Sequence, residues 1–272
     1  MEIVALDREA RRRKHDEVAG EEPLELRLGR GTTTTTLAVT MRTPGNDFEL
    51  AAGFLYAESL VRARDEIAQL TYCVDPAIDP EQRYNIVTAE LRRDARPAEL
   101  ARFERHFTMN SSCGVCGRAQ LDSLRELGAT PLEDAVELPA HVLYGLPEKM
   151  RRAQLVFEST GGLHAAALFG ENGEPIAVRE DIGRHNAVDK LVGWALLHDR
   201  LPLRRCTLLV SGRASYEILQ KSVVAGVPIV ASISAPSSLA VDLAREFNVT
   251  LASFVRSDGA NLYSAPQRIV NS

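Results

Sequence analysis

Three short and almost entirely apolar segments alternate with amphipathic segments between residues 207 and 256. The apolar segments read TLLVSG, VPIVASIS and VTLASFVR, and the segments YEILQKSVVAG and SSLAVDLAREFN separate them. Buried strands linked by helices of this length are typical of βαβ crossovers, which build a parallel sheet covered on both faces. The pattern therefore predicts an α/β architecture for the second half of the chain.

A hairpin signal and a helical pattern extend this unit on its N-terminal side. The segment LHAAALFGENGEPIAVRED reads as two strands around Asn172-Gly173, a dipeptide that favours tight turns. Apolar residues then recur at helical spacing in HNAVDKLVGWALLHD. We therefore predict a C-terminal lobe over residues 140–272.

Residues 22–108 predict a second, smaller α+β lobe, so that the chain as a whole is α+β. The segments LELRLG and TTTTLAVTMRT alternate as paired strands do, and residues 67–74 and 84–91 are further strand candidates. Asn46 is predicted to cap a helix over NDFELAAGFLYAESLV, with Glu49 completing a capping box.

Residues 1–21 are rich in charge and predict a disordered tail. The net charge of −5 argues against a nucleic-acid-binding surface. No apolar run approaches the roughly 18–20 residues that a membrane span needs, and the N-terminus lacks an apolar signal segment. We therefore expect a cytoplasmic protein with reduced thiols and with neither a nucleic acid nor a membrane as partner.

Polar loops follow the predicted strands of the C-terminal lobe. They read REDIGRHN (179–186), SGRAS (211–215), SAPSS (234–238) and RSDGAN (256–261). Loops at the C-terminal ends of such strands meet at one sheet edge, where helix N-termini favour anions. Together the loops predict a site for a large phosphate-bearing ligand, although the chain has neither a Walker sequence nor a G-x-G-x-x-G motif.

Cys113 and Cys116 lie in the Gly-flanked stretch MNSSCGVCGRAQ, within a connecting loop and helix over residues 109–139. A structural zinc site needs four ligands, usually from two such pairs, so we predict no metal. The pair could exchange disulfides, or a thiolate could accept the terminal sulfur of a persulfide and deliver it elsewhere. Spacing alone leaves both open. Cys73 and Cys206 lie in strand-like segments and are predicted to be buried core thiols.

Several stretches in a fixed order give the chain a resemblance to a known family. They are NDFELAAGFLYAESL, NSSCGVCGR, TGGLHAAALF, REDIGRHNAVDKLVG, SGRASYEILQKSVVAGVPIVASISAPSSLAVDLA and FVRSDGANLYSAPQRI. The chain resembles the formate dehydrogenase accessory sulfurtransferase family, FdhD, over nearly its whole length from about residue 24.

This resemblance implies an enzymatic sulfur carrier. Members of the family accept sulfur from a cysteine desulfurase and pass it to the bis-molybdopterin guanine dinucleotide of formate dehydrogenase, whose molybdenum needs a terminal sulfido ligand. Cys113 would carry the persulfide, and Cys116 would assist or act as an alternative carrier. The C-terminal lobe would be similar to the cytidine-deaminase fold without its zinc, and the protein would form a homodimer.

The resemblance also implies where the molybdenum cofactor binds. The family's cofactor-binding segment falls on Phe254, Val255, Arg256, Ser257, Asp258 and Gly259. Because guanidinium groups bind phosphate through two hydrogen bonds, Arg256 and Arg213 are the candidates for phosphate contacts. The other residues expected to line the pocket are Arg179, Arg184 and His185. Asp258 could accept hydrogen bonds from guanine or be an ordinary turn residue.

Two functional alternatives stay open at this stage. The cysteine pair could serve a thiol–disulfide oxidoreductase, or the chain could be a chaperone that holds the cofactor or the apo-dehydrogenase without chemistry.

Overall fold

The N-terminal part of the chain builds a hairpin and a four-stranded sheet. The computed structural model describes residues 1–8, 10–30, 33–92, 124–125, 128–133 and 136–271. The first elements, in chain order, are β1 (Glu2–Leu6), β2 (Arg11–His15), β3 (Glu22–Arg30), β4 (Thr33–Arg42), α1 (Asp47–Ala57), β5 (Ile67–Tyr72), α2 (Pro80–Arg83) and β6 (Ile86–Leu91). The sheet has the order β4-β3-β6-β5, and its antiparallel pair β3–β4 confirms the predicted strand pairing.

Strands β1 and β2 form an antiparallel hairpin where the sequence predicts a disordered tail, so that prediction is wrong for these residues. The Asp7 carboxylate fixes the turn because it accepts the backbone N–H of Ala10 at 2.8 Å. Arg12 adds an ion pair to the same carboxylate at 2.8 Å. The charged side chains of the hairpin stay exposed to solvent, and some of them pair with each other.

The start of α1 also differs from the prediction. Asn46 adopts a left-handed conformation with φ 57°, and its side chain makes no capping hydrogen bond. Asn tolerates this conformation better than most residues, and its carbonyl still accepts the Leu50 N–H at 2.9 Å. Glu49 completes no capping box because its carboxylate binds Arg179 on the other lobe.

The C-terminal part of the chain contains a six-stranded sheet with helices on both faces. Its elements are β7 (Leu138–Pro139), α3 (Ala140–Ala153), α4 (Leu155–Thr160), β8 (His164–Phe169), β9 (Pro175–Asp181), α5 (Arg184–Leu197), β10 (Thr207–Val210), α6 (Tyr216–Val224), β11 (Ile229–Ser232), α7 (Ser238–Glu246), β12 (Thr250–Arg256), β13 (Gly259–Ser264) and β14 (Ile269–Val270). None of the helices in the described part of the chain is long and apolar enough to cross a membrane.

The large sheet has the order β13-β12-β11-β10-β8-β9. Strands β10, β11 and β12 run parallel, as predicted, with α6 and α7 as the crossovers. The sheet is nevertheless mixed, because β8 pairs antiparallel to β10 and two hairpins, β8–β9 and β12–β13, form its edges. The predicted turn at Asn172-Gly173 is confirmed, with Gly173 at φ 68°.

Alternate side chains of the central strands enter separate cores on the two faces of this sheet. Leu208 and Val210 pack in the core that contains α5, α6 and α7, whereas Leu209 packs in the core that contains α3. Both faces are therefore apolar, which explains why the strands read as continuous apolar runs rather than as alternating ones.

Helix α5 lies between the large sheet and helix α1 of the N-terminal lobe. The crossing of α1 and α5 is so close that a Cβ on Gly53 would lie 1.9 Å from the Asp189 carbonyl oxygen. Reciprocally, a Cβ on Gly193 would lie 1.8 Å from the Glu49 carbonyl oxygen. Only glycine permits this approach of two helix backbones, so the pair of glycines fixes how the lobes meet.

We predict that Gly193→Ala strongly destabilises the protein, because the added methyl group must push α1 and α5 apart. Overpacking a core commonly costs about 1–3 kcal/mol in free energy of unfolding, and we expect at least the upper value here. Gly145→Ala in α3 is the matched control, since its Cβ would meet nothing within 4 Å. Alanine should stabilise that helix position by roughly 0.5–1 kcal/mol. Urea unfolding measures both, and equal stabilities of the two variants would contradict the close crossing.

Candidate functional site

A buried polar network joins the turn before α1 to the turn before α5. Lys190 Nζ lies 2.7 Å from Asp181 Oδ2 and donates to the Thr43 carbonyl at 2.8 Å. Asp181 also accepts the Thr43 N–H at 3.1 Å, and the Thr43 hydroxyl accepts the Ile182 N–H at 3.1 Å. Lys190 and Asp181 are almost fully buried. A buried charge is tolerated only when it is paired and hydrogen-bonded, as both are here.

Arg179, a predicted cofactor contact, belongs to this joint between the lobes. Its Nε and Nη2 donate to the two Glu49 carboxylate oxygens at 2.5 and 2.7 Å, and its Nη1 donates to the Val178 carbonyl at 2.8 Å. All three guanidinium nitrogens therefore have protein partners. Arg179, expected to line the cofactor pocket, is thus bound to Glu49, and its effect on a ligand would be indirect.

The predicted loops do meet at one edge of the large sheet. The loops after β10 and β11 are joined by a parallel bridge between Ala214 and Pro236. The loop after β11 is tied to the end of β12, because Arg256 Nη1 donates to the Ile233 carbonyl at 2.6 Å. Since β8 runs antiparallel to β10, its first residue, His164, lies at the same edge, opposite the last residue of β9, Asp181.

Arg184 presents an unsatisfied guanidinium nitrogen at this edge. It is the first residue of α5, and its Nε is buried and makes no hydrogen bond with any of the residues that the structure describes. A Cβ on Gly212 would lie 3.4 Å both from Arg184 Cδ and from His164 Nδ1, so the three residues are neighbours. A buried N–H without a partner is costly, and an anion that accepts from it would remove the cost.

His164 and Arg184 differ in their electrostatic character. Burial, reinforced by the positive charges of Arg184 and His185, lowers the pKa of His164. His164 is therefore a neutral imidazole at pH 7, and Arg184 supplies the positive charge. His164 is half-buried at the sheet edge.

His185 lies beside Arg184 and forms a polar group with two residues at the start of α6. Its Nε2 is 3.2 Å from Ser215 Oγ and 3.6 Å from Glu217 Oε2. The contact with the His185 ring, long for a hydrogen bond, is the main reason why the pKa of Glu217 falls to about 2, although burial opposes the shift. The Glu217 carboxylate therefore stays ionised next to His185, which is a predicted cofactor contact.

The segment predicted to hold the cofactor divides into exposed and buried side chains. Phe254 is 40% exposed and adopts φ 55°, a left-handed conformation that is strained for a bulky residue. Val255 is fully buried in the core beneath α3, so its side chain is unable to reach a ligand and only its backbone could. Ser257 and Asp258 form the two-residue connection between β12 and β13, and Arg256 pairs with Gly259 across it.

The remaining predicted contacts lie at the surface. Arg213 follows β10, is exposed, and makes no hydrogen bond or ion pair with any residue that the structure describes. Asp258 is also exposed. The structure thus places Arg184 beside Gly212 and His164, His185 beside Ser215, and Arg256 against the loop after β11.

A cavity of about 250 Å3 with a mixed apolar and polar lining lies between the lobes, next to His185. Lys221 and Asp189 form a buried ion pair in its wall, with Lys221 Nζ 2.6 Å from Asp189 Oδ1. Burial raises the pKa of Glu58, which also lines the cavity. The cavity therefore brings ionisable groups of both lobes to one space beside apolar side chains of the N-terminal lobe.

The structure describes two of the four cysteines of the chain. Cys113 and Cys116 lie outside the described residues. Cys73 and Cys206 are free and only partly buried, which corrects the prediction of buried core thiols, and burial raises the pKa of Cys206. A thiol with a raised pKa is a weak nucleophile at neutral pH.

Glu217 was missed as a site residue, and the sequence held a usable signal for it. It lies in the first turn of α6, two residues after Ser215, which ends the predicted SGRAS loop. Polar side chains at this point of the helix can face the same sheet edge as the loop itself.

These features define a class: a two-lobed, mixed α/β protein whose large sheet carries polar, arginine-bearing loops along one edge. The model of the FdhD/NarQ family matches residues 19–270. The chain belongs to this family, which confirms the resemblance drawn from the motifs.

Similar proteins cover almost the whole chain. The sulfur carrier protein FdhD of Mycolicibacterium paratuberculosis is 50% identical over 92% of this chain and 90% of its own. That of Streptomyces coelicolor is 48% identical over 93% of this chain and 89% of its own. The crystal structure of a formate dehydrogenase accessory protein from Desulfotalea psychrophila matches with a TM-score of 0.75 at 24% identity, over 99% of this chain and 98% of that one, and therefore has the same fold.

We predict that Glu217 contributes stability that depends on pH. Its pKa is about 2 in the folded protein and about 4.3 in an unfolded chain, so the contribution is present above pH 4.5 and is lost as the pH falls towards 2. The side chain is 47% exposed, so solvent screening should keep the contribution below about 1 kcal/mol. Urea unfolding of the wild type and Glu217→Gln between pH 2 and 6 measures the difference.

The control for this prediction is the same substitution made in His185→Asn. Removing the imidazole should abolish most of the stability difference, because the coupling between two contacting residues disappears when one is absent. A difference that persists unchanged without His185 would assign the low pKa of Glu217 to another cause.

Proposed function

We propose that this protein is a sulfur carrier that delivers sulfur to the molybdenum cofactor of formate dehydrogenase. The observation that carries the proposal is its family membership together with the sulfur carrier FdhD relatives, which match it over about nine-tenths of both chains. The name of the structural relative, a formate dehydrogenase accessory protein, supports a formate dehydrogenase as client.

Cys113 is proposed to carry the sulfur. Its thiolate attacks the terminal sulfur of a persulfide on a cysteine desulfurase, a new S–S bond forms at Cys113, and the donor's S–S bond breaks. The donor cysteine leaves as a thiolate, and no net electrons are exchanged. Cys116 assists or serves as the alternative carrier. The glycines of the Cys113 stretch allow partners to approach the sulfur closely.

The sheet edge is proposed to bind the substrate of the transfer, a molybdenum bis-molybdopterin guanine dinucleotide. This substrate carries two pyrophosphate groups, which suit the Nε of Arg184 and the exposed guanidinium of Arg213, neither of which is hydrogen-bonded to a described residue. Among the described residues, Arg256 makes its hydrogen bonds through Nη1 alone, to Ile233 and Val255. The exposed ring of Phe254 offers a surface on which a guanine can stack.

Other features of the proposal follow from family membership. The C-terminal lobe is proposed to be a cytidine-deaminase-like unit without zinc, and the protein to be an enzyme, a sulfurtransferase, that acts as a homodimer. We place the exchange in the cytoplasm, where thiols are kept reduced and a persulfide can persist on an accessible cysteine.

Two other functions compete with this one. An oxidoreductase would use Cys113 and Cys116 as a dithiol, and a chaperone would bind the cofactor without using either cysteine. Both an oxidoreductase and a carrier need a reactive thiolate, the former with a low pKa and the latter accessible to its donor. These two requirements are chemically similar. Only the product that forms on the sulfur, a disulfide or a persulfide, distinguishes the two functions.

We predict that incubation with a cysteine desulfurase and cysteine adds about 32 Da to the wild-type chain, the mass of one sulfur atom, and that reductant removes it. Cys113→Ser should lose the added mass or shift it to Cys116, because the first cysteine is the proposed carrier. Intact-protein and peptide mass spectrometry measure the gain and its position.

Cys206→Ser is the matched control for this experiment. Burial raises the pKa of this thiol, so its removal should leave sulfur loading unchanged. Loading that survives in the Cys113→Ser, Cys116→Ser double variant would refute the carrier role. Maturation of formate dehydrogenase by that double variant would favour the chaperone, and a Cys113–Cys116 disulfide without added sulfur would favour the oxidoreductase.

A further inference from the structure

An open groove of about 740 Å3 lies on the N-terminal lobe, away from the sheet edge described above. It is formed where β3 begins, where β5 ends and where α2 leads into β6. We call it the tyrosine groove. The residues that define it are Glu22, Pro44, Tyr72, Pro80, Glu81 and Tyr84.

The floor of the tyrosine groove is a buried ion pair with satisfied charges. Arg42 Nε and Nη2 donate to the two Asp47 carboxylate oxygens at 3.1 and 3.0 Å, and both side chains are almost fully buried. Arg42 Nη2 also donates to the Tyr84 carbonyl at 3.2 Å, and the Tyr72 hydroxyl donates to Asp47 at 3.2 Å. The floor therefore holds the Tyr72 hydroxyl and the Tyr84 backbone, and its two charges neutralise each other.

The rim of the groove carries a surplus of negative charge. Glu81 is exposed, and its carboxylate makes no ion pair with any residue in the described part of the chain. Glu22 is 51% exposed, and Arg42, at 3.5 Å, is its one ion-pair partner among the described residues. Since Asp47 already neutralises Arg42, the two glutamates leave the groove with a net charge of −2.

The aromatic wall is held in place but remains open to solvent. Tyr84 is 65% exposed, and its ring meets Tyr72 edge-on, with centroids 5.3 Å apart. Tyr72 in turn packs on Phe48 at 4.7 Å. The groove therefore offers an exposed aromatic ring together with two carboxylates and two prolines.

We propose that the tyrosine groove is a docking surface for a protein partner, which it binds through an extended segment carrying arginine or lysine. Extended and proline-containing segments dock in grooves lined by aromatic residues. A guanidinium or ammonium group is attracted both to an aromatic ring and to carboxylates, and the groove supplies both at its rim. Charge complementarity therefore selects a basic segment over an acidic or neutral one.

The test measures fluorescence anisotropy of a labelled hexapeptide of alternating arginine and proline, titrated with the full-length protein. A hexapeptide of alternating glutamate and proline serves as the opposite-charge probe. We expect the arginine peptide to bind the wild type and the glutamate peptide not to bind. Tyr84→Ala should weaken binding roughly five- to tenfold, and Glu81→Gln about threefold. Tyr84→Phe, which keeps the ring, should bind like the wild type.

Glu148→Gln is the control for unspecific attraction to a chain with a net charge of −5. Glu148 is an exposed acid on α3, outside the groove, and its removal should leave binding unchanged. The proposal is overturned if the arginine peptide does not bind, if the glutamate peptide binds equally well, or if Tyr84→Ala and Glu148→Gln bind like each other. Sulfur loading by Tyr84→Ala should stay at the wild-type level, so this outcome is independent of the carrier role.

Discussion

The backbone contact between α1 and α5 at Gly53 and Gly193 is the constraint on which the rest of the structure depends. It brings the N-terminal lobe against a helix whose other side packs on the large sheet, so that α5 is buried almost all round. Leu196 on α5 shares a core with Leu55 on α1, which extends the contact beyond the crossing point. Neither lobe can shift along the other without separating two backbones in van der Waals contact.

The same crossing positions the polar groups at the sheet edge. Because α1 and α5 are fixed against each other, the turns that precede them are close enough for Lys190, Asp181 and Thr43 to form one buried network. That network holds the start of α5, where Arg184 and His185 lie. Arg184, whose Nε has no partner among the described residues, thus lies in a rigid region. A rigid site keeps its geometry and loses little entropy when a ligand binds.

Sequence patterns predicted the elements whose cause is local. The strands β10 to β12 and the helices α5 to α7 were found because burial on both faces gives apolar runs and helical spacing. Patterns failed where a distant residue decided the outcome. Glu49 leaves its expected cap because Arg179, 130 residues away in sequence, binds it, and the same ion pair engages an arginine expected to line the cofactor pocket. Val255 lies in the predicted binding segment, but side chains alternate between the two faces of a strand, and that of Val255 packs in the core.

The most direct test of the carrier account follows labelled sulfur through a single turnover. The protein is loaded with one 34S atom, freed of donor, and mixed with apo-formate dehydrogenase and cofactor that lacks its sulfido ligand. The account predicts that 34S appears on the cofactor as the protein loses it, that formate oxidation rises in step, and that Arg184→Gln loads sulfur normally but transfers it slowly. Full activation of the dehydrogenase without movement of the label would contradict the account.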